Sequence, residues 1–174
     1  MRNLLLLLVV LGTLSFTLSK EVTRNVEIAN ISSGKLAPQI SFKDQNNNTI
    51  DLTDFKGSYV YINLWTTWSQ PSKEELPFLK QHMAKYGKKM HFLNISIDYN
   101  RDRSNWKKYI KETQLSGEQL MVENDWQSDL IKKYNVVKIP RAILIDPNGK
   151  IVDAFAPRPS EEAQLDKLLA SLLQ

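Results

Sequence analysis

There is no cysteine anywhere in the 174 residues, and there are only two histidines, His82 and His91. A disulfide-stapled scaffold, a zinc ribbon and a thiolate-bound cluster are excluded, because each needs sulfur ligands or cross-links that the chain does not carry. No resident metal or cofactor is expected. Glycine is also sparse, and its six occurrences are scattered, so no loop is present that could cradle a phosphate. No block of five or six like charges occurs either. The 23 basic and 19 acidic side chains leave a net charge of +4 spread along the chain, which reads as a solvated surface rather than a nucleic-acid interface. A serine hydrolase is disfavoured as well, since His82 lies 13 residues beyond Ser69, about 20 Å along a helix, and the chain has no Gly-x-Ser-x-Gly elbow. What is left is a length suited to one domain with a core large enough to need no staples.

The first twenty residues differ from the rest. Arg2 precedes an apolar run from Leu4 to Leu11 that fades to Leu18, with Thr17 and Ser19 at the small-residue positions before Lys20. This pattern fits an export signal over residues 1–19. The alternative is an uncleaved membrane anchor, although Leu4 to Leu18 gives only about 22 Å of helix against a hydrocarbon core of about 30 Å. Residues 20–36 are polar and aperiodic and read as a linker, and the folded domain is expected over 37–174. An exported, cysteine-free chain avoids accidental disulfides in an oxidising compartment. The periplasm or the outer face of the cytoplasmic membrane is therefore the expected location.

Within the domain, Ile40–Phe42 and Thr49–Leu52 alternate around the polar tract Asp44–Asn48, which predicts a β-hairpin. Tyr59–Trp65 is β-branched and aromatic with no charge, the pattern of a strand buried on both faces. A helix from about Ser72 to Tyr86 follows, with Leu76, Leu79 and Met83 on one side and Pro77 inside it. The spacing then predicts a strand over Met90–Asp98, a helix over Arg103–Gln114, a short strand at Gln119–Val122 and a helix through Trp126–Tyr134. Ala142–Ile145 and Ile151–Val152 flank the turn Asp146-Pro147-Asn148-Gly149, and Ser160 is positioned to cap a last helix with Leu165, Leu168, Leu169 and Leu172 inward. Alternating strands and helices closed by a hairpin and a helix imply an α/β fold with a mixed central sheet.

Two stretches carry a resemblance. Leu64-Trp65-Thr66-Thr67-Trp68-Ser69-Gln70-Pro71-Ser72-Lys73-Glu74-Glu75-Leu76-Pro77 resembles the active-site segment of the TlpA/ResA-like thioredoxin family, in which a tryptophan precedes Cys-x-x-Cys and Glu-x-Pro follows. Val136 to Lys150 is similar to that family's cis-proline loop and closing hairpin. The resemblance implies a thioredoxin-like fold: a mixed sheet flanked by helices, with an N-terminal β-hairpin. It also implies thiol–disulfide oxidoreductase chemistry, but Ser69 and Ser72 stand where the family has its two redox cysteines. A serine hydroxyl neither attacks a disulfide as a thiolate does nor forms the mixed disulfide that exchange requires.

By the same resemblance, Glu75 matches the family's active-site glutamate. Pro140 matches its cis-proline, and Trp68, Pro71, Ile139, Pro140 and Arg141 frame a peptide-binding surface. From the residues themselves, one of the two serines is expected to cap the helix, and Ser72 to Glu75 has the spacing of a capping box. With no thiol to serve, Glu75 reads as a surface or capping carboxylate. Arg141 departs from the threonine often found after the cis-proline and reads as a solvated arginine, with an acidic partner as the alternative. Trp65 reads as core packing.

Two functional readings follow. The first is a redox-inactive envelope protein that binds extended or unfolded polypeptides and touches the membrane only through an uncleaved N-terminal segment. The second is a disulfide reductase whose cysteines have been exchanged for serine. The presence of the whole leader favours the first.

Overall fold

The computed structural model describes residues 32–174. The leader and most of the linker therefore lie outside the described residues. Seven strands form one sheet: β1 (Ser41–Asp44), β2 (Thr49–Asp51), β3 (Tyr59–Trp65), β4 (Met90–Ser96), β5 (Glu118–Met121), β6 (Arg141–Ile145) and β7 (Ile151–Ala156). Four helices accompany them: α1 (Gln70–Tyr86), α2 (Arg103–Thr113), α3 (Asp129–Lys133) and α4 (Glu162–Leu172). The spatial order is β2-β1-β5-β4-β3-β6-β7, with β3, β4 and β5 parallel and β1, β6 and β7 antiparallel to their neighbours. Among the described residues no helix is long and apolar enough to cross a membrane.

Alternation along β3 divides the core. Val60, Ile62 and Leu64 point to one face, where they meet Ile95 of β4, Ile143 of β6 and Leu130 of α3. Tyr61 and Trp65 point to the other, against Leu76 and Leu79 of α1, Trp106 and Ile110 of α2, and Leu165 and Leu169 of α4. A strand covered on both sides must be apolar on both, which is why β3 shows almost no polar residue. Asn63 is the exception. It stands in register with Asn94 and Gln119 as a buried polar row across β3, β4 and β5. The Asn94 and Gln119 amides both donate to the Ser116 carbonyl, at 3.0 and 2.6 Å, and so fix the turn that enters β5.

Two element starts differ from the sequence reading. The first helix begins at Gln70, capped by Ser69, and not at Ser72, because Pro71 fits the first turn of a helix where its missing N–H costs nothing. The last begins at Glu162, with Ser160 engaged elsewhere. The predicted helix through Trp126 splits into a 3₁₀ turn at Asp125–Gln127 and the five-residue α3.

The outer rim of the sheet at β7 is partly covered by the entering chain. Gly34 N–H donates to the Ile151 carbonyl, Ile151 N–H donates to the Lys35 carbonyl and Ala37 N–H donates to the Gly149 carbonyl, each at 2.8 Å. Gly34 has φ +82°, a left-handed conformation that a side chain would strain.

Tyr134 is wholly buried, and its hydroxyl donates to the Pro38 carbonyl at 2.9 Å. Burial pushes its phenol well above the ordinary range near pH 10. The folded state thus keeps a proton that the unfolded chain gives up, so the stability this group supplies is complete below about pH 10 and falls as pH rises beyond it, by about 1.4 kcal/mol per unit. Tyr134→Phe is expected to cost about 1 kcal/mol near neutral pH, because the Pro38 carbonyl loses its donor. Its stability should also decline less steeply between about pH 10 and 12 than that of the unmodified chain. Urea denaturation of both proteins across that interval checks both signs.

Candidate functional site

The site forms where β3 runs into α1. Trp65 closes β3 as a core side chain, and its carbonyl accepts from Ile97 N–H at 2.9 Å. Asp98, just past β4, then takes hold of the connecting loop. Its carboxylate accepts from Thr67 N–H at 3.0 and 3.1 Å, from the Thr67 hydroxyl at 2.8 Å and from the Ser96 hydroxyl at 2.6 Å. Asp98 is wholly buried, so its charge is compensated by these donors. With the backbone so held, Trp68 projects outward and is 55% exposed.

Ser69 follows as the N-cap of α1. Its Oγ accepts from Ser72 N–H at 3.4 Å, and the Ser72 hydroxyl donates to the same oxygen at 3.0 Å. Both serines are buried. The capping box expected at Ser72 and Glu75 is absent, because Ser72 lies inside the first turn. Neither hydroxyl has a base beside it. The ring of His82 is occupied by Pro159 and Asp166, and Glu75 by Ser160 and Arg158. The pair is shaped like a vicinal thiol site but carries two un-ionised hydroxyls.

Glu75 corrects the sequence reading: it is buried rather than on the surface. Ser160 donates to it twice, from its backbone N–H at 2.8 Å and from its hydroxyl at 2.9 Å, and the Arg158 guanidinium lies 3.8 Å away. Glu75 therefore clasps the segment between β7 and α4 instead of capping its own helix. Tyr61 secures the same segment by donating to the Pro157 carbonyl at 2.7 Å.

Arg141 corrects it again. Far from solvated, it is only 6% exposed. Its guanidinium donates to the Ala154 carbonyl at 3.2 and 2.9 Å and to the Asn135 carbonyl at 2.9 Å, and it lies 4.3 Å over the Phe155 ring. Burial pulls its guanidinium down to about 10. Three of its N–H groups are thus spent on backbone carbonyls, which gives the guanidinium a structural role. Arg141 ties β6 to β7 and to the loop before β6.

The Ile139–Pro140 bond is cis. Pairing of Leu64 with Arg141 sets Pro140 next in line beside Trp65, so the proline loop lies at the same end of the sheet as the Trp68–Ser72 turn. Ile139 is half-buried against the core, Pro140 is half-exposed and Pro71 is exposed. Beside Pro140 opens a cleft of about 180 Å³ that sequence reasoning missed, lined chiefly by Val137, Ala142, Phe155 and Ala156, with Arg158 and Glu161 at its wall. Val137 and Phe155 are 75% and 65% exposed. Strict alternation in Ala154-Phe155-Ala156, small residues inward and a phenylalanine outward, was the available clue. Among the described residues, no three histidine or carboxylate side chains gather as a metal site.

Comparison with known proteins agrees with this geometry. Residues 33–154 match the model of the AhpC/TSA family. The thiol-disulfide oxidoreductase ResA of Bacillus thuringiensis subsp. konkukian is 30% identical over 170 residues, which span 98% of this chain and 94% of that protein. ResA of Bacillus subtilis is 30% identical over 84% of this chain and 79% of its own length. Among solved structures, the thioredoxin domain of a thiol-disulfide oxidoreductase from Bacteroides vulgatus superposes with a TM-score of 0.72 at 28% identity, covering 82% of this chain and 99% of that one. A thiol-disulfide oxidoreductase from Bacteroides fragilis gives 0.69 at 29% identity, over 80% of this chain and 100% of its own. With the thioredoxin-like sheet, the cis-proline loop and the helix-capping pair at its centre all in place, the chain belongs to the AhpC/TSA family and to its ResA-like thiol–disulfide oxidoreductase relatives, with serine at both positions where the resemblance puts the redox cysteines.

Proposed function

We propose that the protein is a redox-inactive member of this family that binds extended polypeptide in the cell envelope, on the surface formed by Trp68, Pro71, Ile139 and Pro140. The observation that carries the reading is the pairing of a chemically silent centre, Ser69 and Ser72, with an exposed indole at its edge. A tryptophan more than half exposed on a loop that Asp98 holds rigid offers a large apolar contact at little entropic cost. The proline loop supports the reading from the other side, and the apolar leader supports placement outside the cytoplasmic membrane.

Two measurements test the proposal. In an insulin-reduction assay the unmodified chain should show no turnover above the blank, and turnover would overturn the inactive half. In a binding titration with reduced, carboxymethylated α-lactalbumin as an unfolded probe, Trp68→Ala should weaken binding by about tenfold or more, as removal of a central aromatic anchor does. Equal affinity of the two proteins would remove the binding surface.

The second reading, a disulfide reductase carrying serine in place of its thiols, is favoured by the preserved geometry of the pair, whose hydroxyls face one another at 3.0 Å. Serine codons in the gene at positions 69 and 72 would eliminate it.

A further inference from the structure

The cleft beside Pro140 combines an apolar floor with positive charge that is not cancelled. Val137, Pro140, Ala142, Phe155 and Ala156 supply the floor, and Lys138 stands at the rim. Its volume of about 180 Å³ exceeds the roughly 150 Å³ in which an apolar cavity holds a benzene ring, so one aromatic side chain fits. Val137 and Phe155 are exposed, which leaves apolar surface there for a partner to cover. Arg158, in the wall, is shared between Glu75 and Glu161 at 3.8 and 3.4 Å. Lys138, by contrast, is exposed and has neither an ion pair nor a side-chain hydrogen bond among the described residues. Arg141 lines the same cleft, spends three N–H groups on carbonyl oxygens and has no carboxylate within ion-pair distance among the described residues. Two positive charges therefore lack a counter-charge.

Pro140 belongs both to this cleft and to the binding surface proposed above, so the two are continuous. We infer that the cleft selects the sequence of the bound polypeptide: it takes a large apolar side chain, aromatic above all, flanked by an aspartate or glutamate whose carboxylate meets Lys138. The inference rests on the peptide-binding reading and narrows its partners to acidic–aromatic segments of extended chain. A basic residue in the flanking position meets two like charges and is rejected. An exposed ion pair is weak and screened by salt, so the charge preference is modest and fades as salt rises, whereas burial of the apolar side chain persists.

Three Gly/Ser peptides of equal length test it by fluorescence anisotropy, each acetylated, amidated and carrying the same dye, with Glu-Phe-Glu, Lys-Phe-Lys or Glu-Ser-Glu at the centre. At low salt the unmodified chain should bind the first about fivefold more tightly than the second, the range of one exposed ion pair. It should bind the first about tenfold more tightly than the third, through burial of the ring. Lys138→Glu should reverse the order of the first two peptides. Lys107→Glu, the same charge change at an exposed position of α2 outside the cleft, should leave the order as it was. Val137→Ser, at an exposed position, should narrow the gap between the first and third. Absence of binding by all three peptides, equal affinities, an order untouched by Lys138→Glu, or the same reversal by Lys107→Glu would overturn the inference. Any of these beside a Trp68-dependent affinity for reduced, carboxymethylated α-lactalbumin would sink the cleft and leave the binding surface standing. Reversal by Lys138→Glu alone, beside an α-lactalbumin affinity indifferent to Trp68, would do the opposite.

Discussion

Asp98→Ala should lower the unfolding free energy by about 3 kcal/mol, the cost of leaving two or three buried donors without their charged acceptor. The Thr67 N–H and hydroxyl and the Ser96 hydroxyl all lose the oxygen they point to. Ser96 is fully buried at the end of a central strand, so water does not readily replace what is lost. The alanine also leaves the Thr66–Ser69 loop without its anchor, so Trp68 fluorescence in the folded protein should change along with the denaturation midpoint. Asp98→Asn keeps the shape but turns an NH₂ group toward some of these donors, and its destabilisation should fall between the two. Urea unfolding of the three proteins measures the series. An Asp98→Ala protein within about 0.5 kcal/mol of the unmodified chain, the range of an ordinary surface substitution, would show that the carboxylate does not hold the loop.

The second large effect is a gain. Ser69→Cys/Ser72→Cys should convert a chain with no insulin-reducing turnover into one with turnover clearly above the blank. The physical basis is already built. Ser69 caps a 17-residue helix whose N-terminal amides and dipole favour an anion at that position, which is the setting that lowers a thiol pKa. The Ser69 and Ser72 oxygens lie 3.0 Å apart. Side chains that already face one another three residues apart in a first turn suit a sulfur–sulfur bond of about 2.05 Å after small rotations. The single variant Ser69→Cys has an attacking thiol but no resolving one, and should stall as a mixed disulfide. A folded double-cysteine protein that stays at the blank would mean that more than the two thiols is missing. The first place to look is Glu75, whose two oxygens are taken by Ser160.

How much of this was legible in the sequence divides by distance along the chain. β3, β4 and β6 could be read because strands covered on both faces are apolar on both, a local property of composition. The turn at Trp68–Ser72 and the proline loop could be read because short, ordered motifs carry them. The start of α1 was misplaced by two residues, since Ser72 offers the same capping chemistry as Ser69 and only the position of Pro71 discriminates between them. Glu75 and Arg141 were misjudged for a different reason. Glu75 meets Ser160, 85 residues away, and Arg141 donates to Ala154 across a strand pair, and neither partner is visible from the neighbourhood of the charged residue. A charged side chain is exposed by default, and here long-range backbone acceptors and donors override that default. The cleft at Phe155 escaped because a single exposed aromatic is unremarkable until the fold sets Val137 and Pro140 beside it.

The strap from Gly34 to Ala37 bears on where the chain can be shortened. A version begun after Ala37 would strip the Ile151 N–H and carbonyl of their partners and bare the rim of an outermost strand that also displays Phe155. Unpaired rims of this kind recruit a strand from another molecule. Trimming therefore has a floor at Gly34, below which the expected outcome is strand-to-strand self-association rather than simple loss of fold.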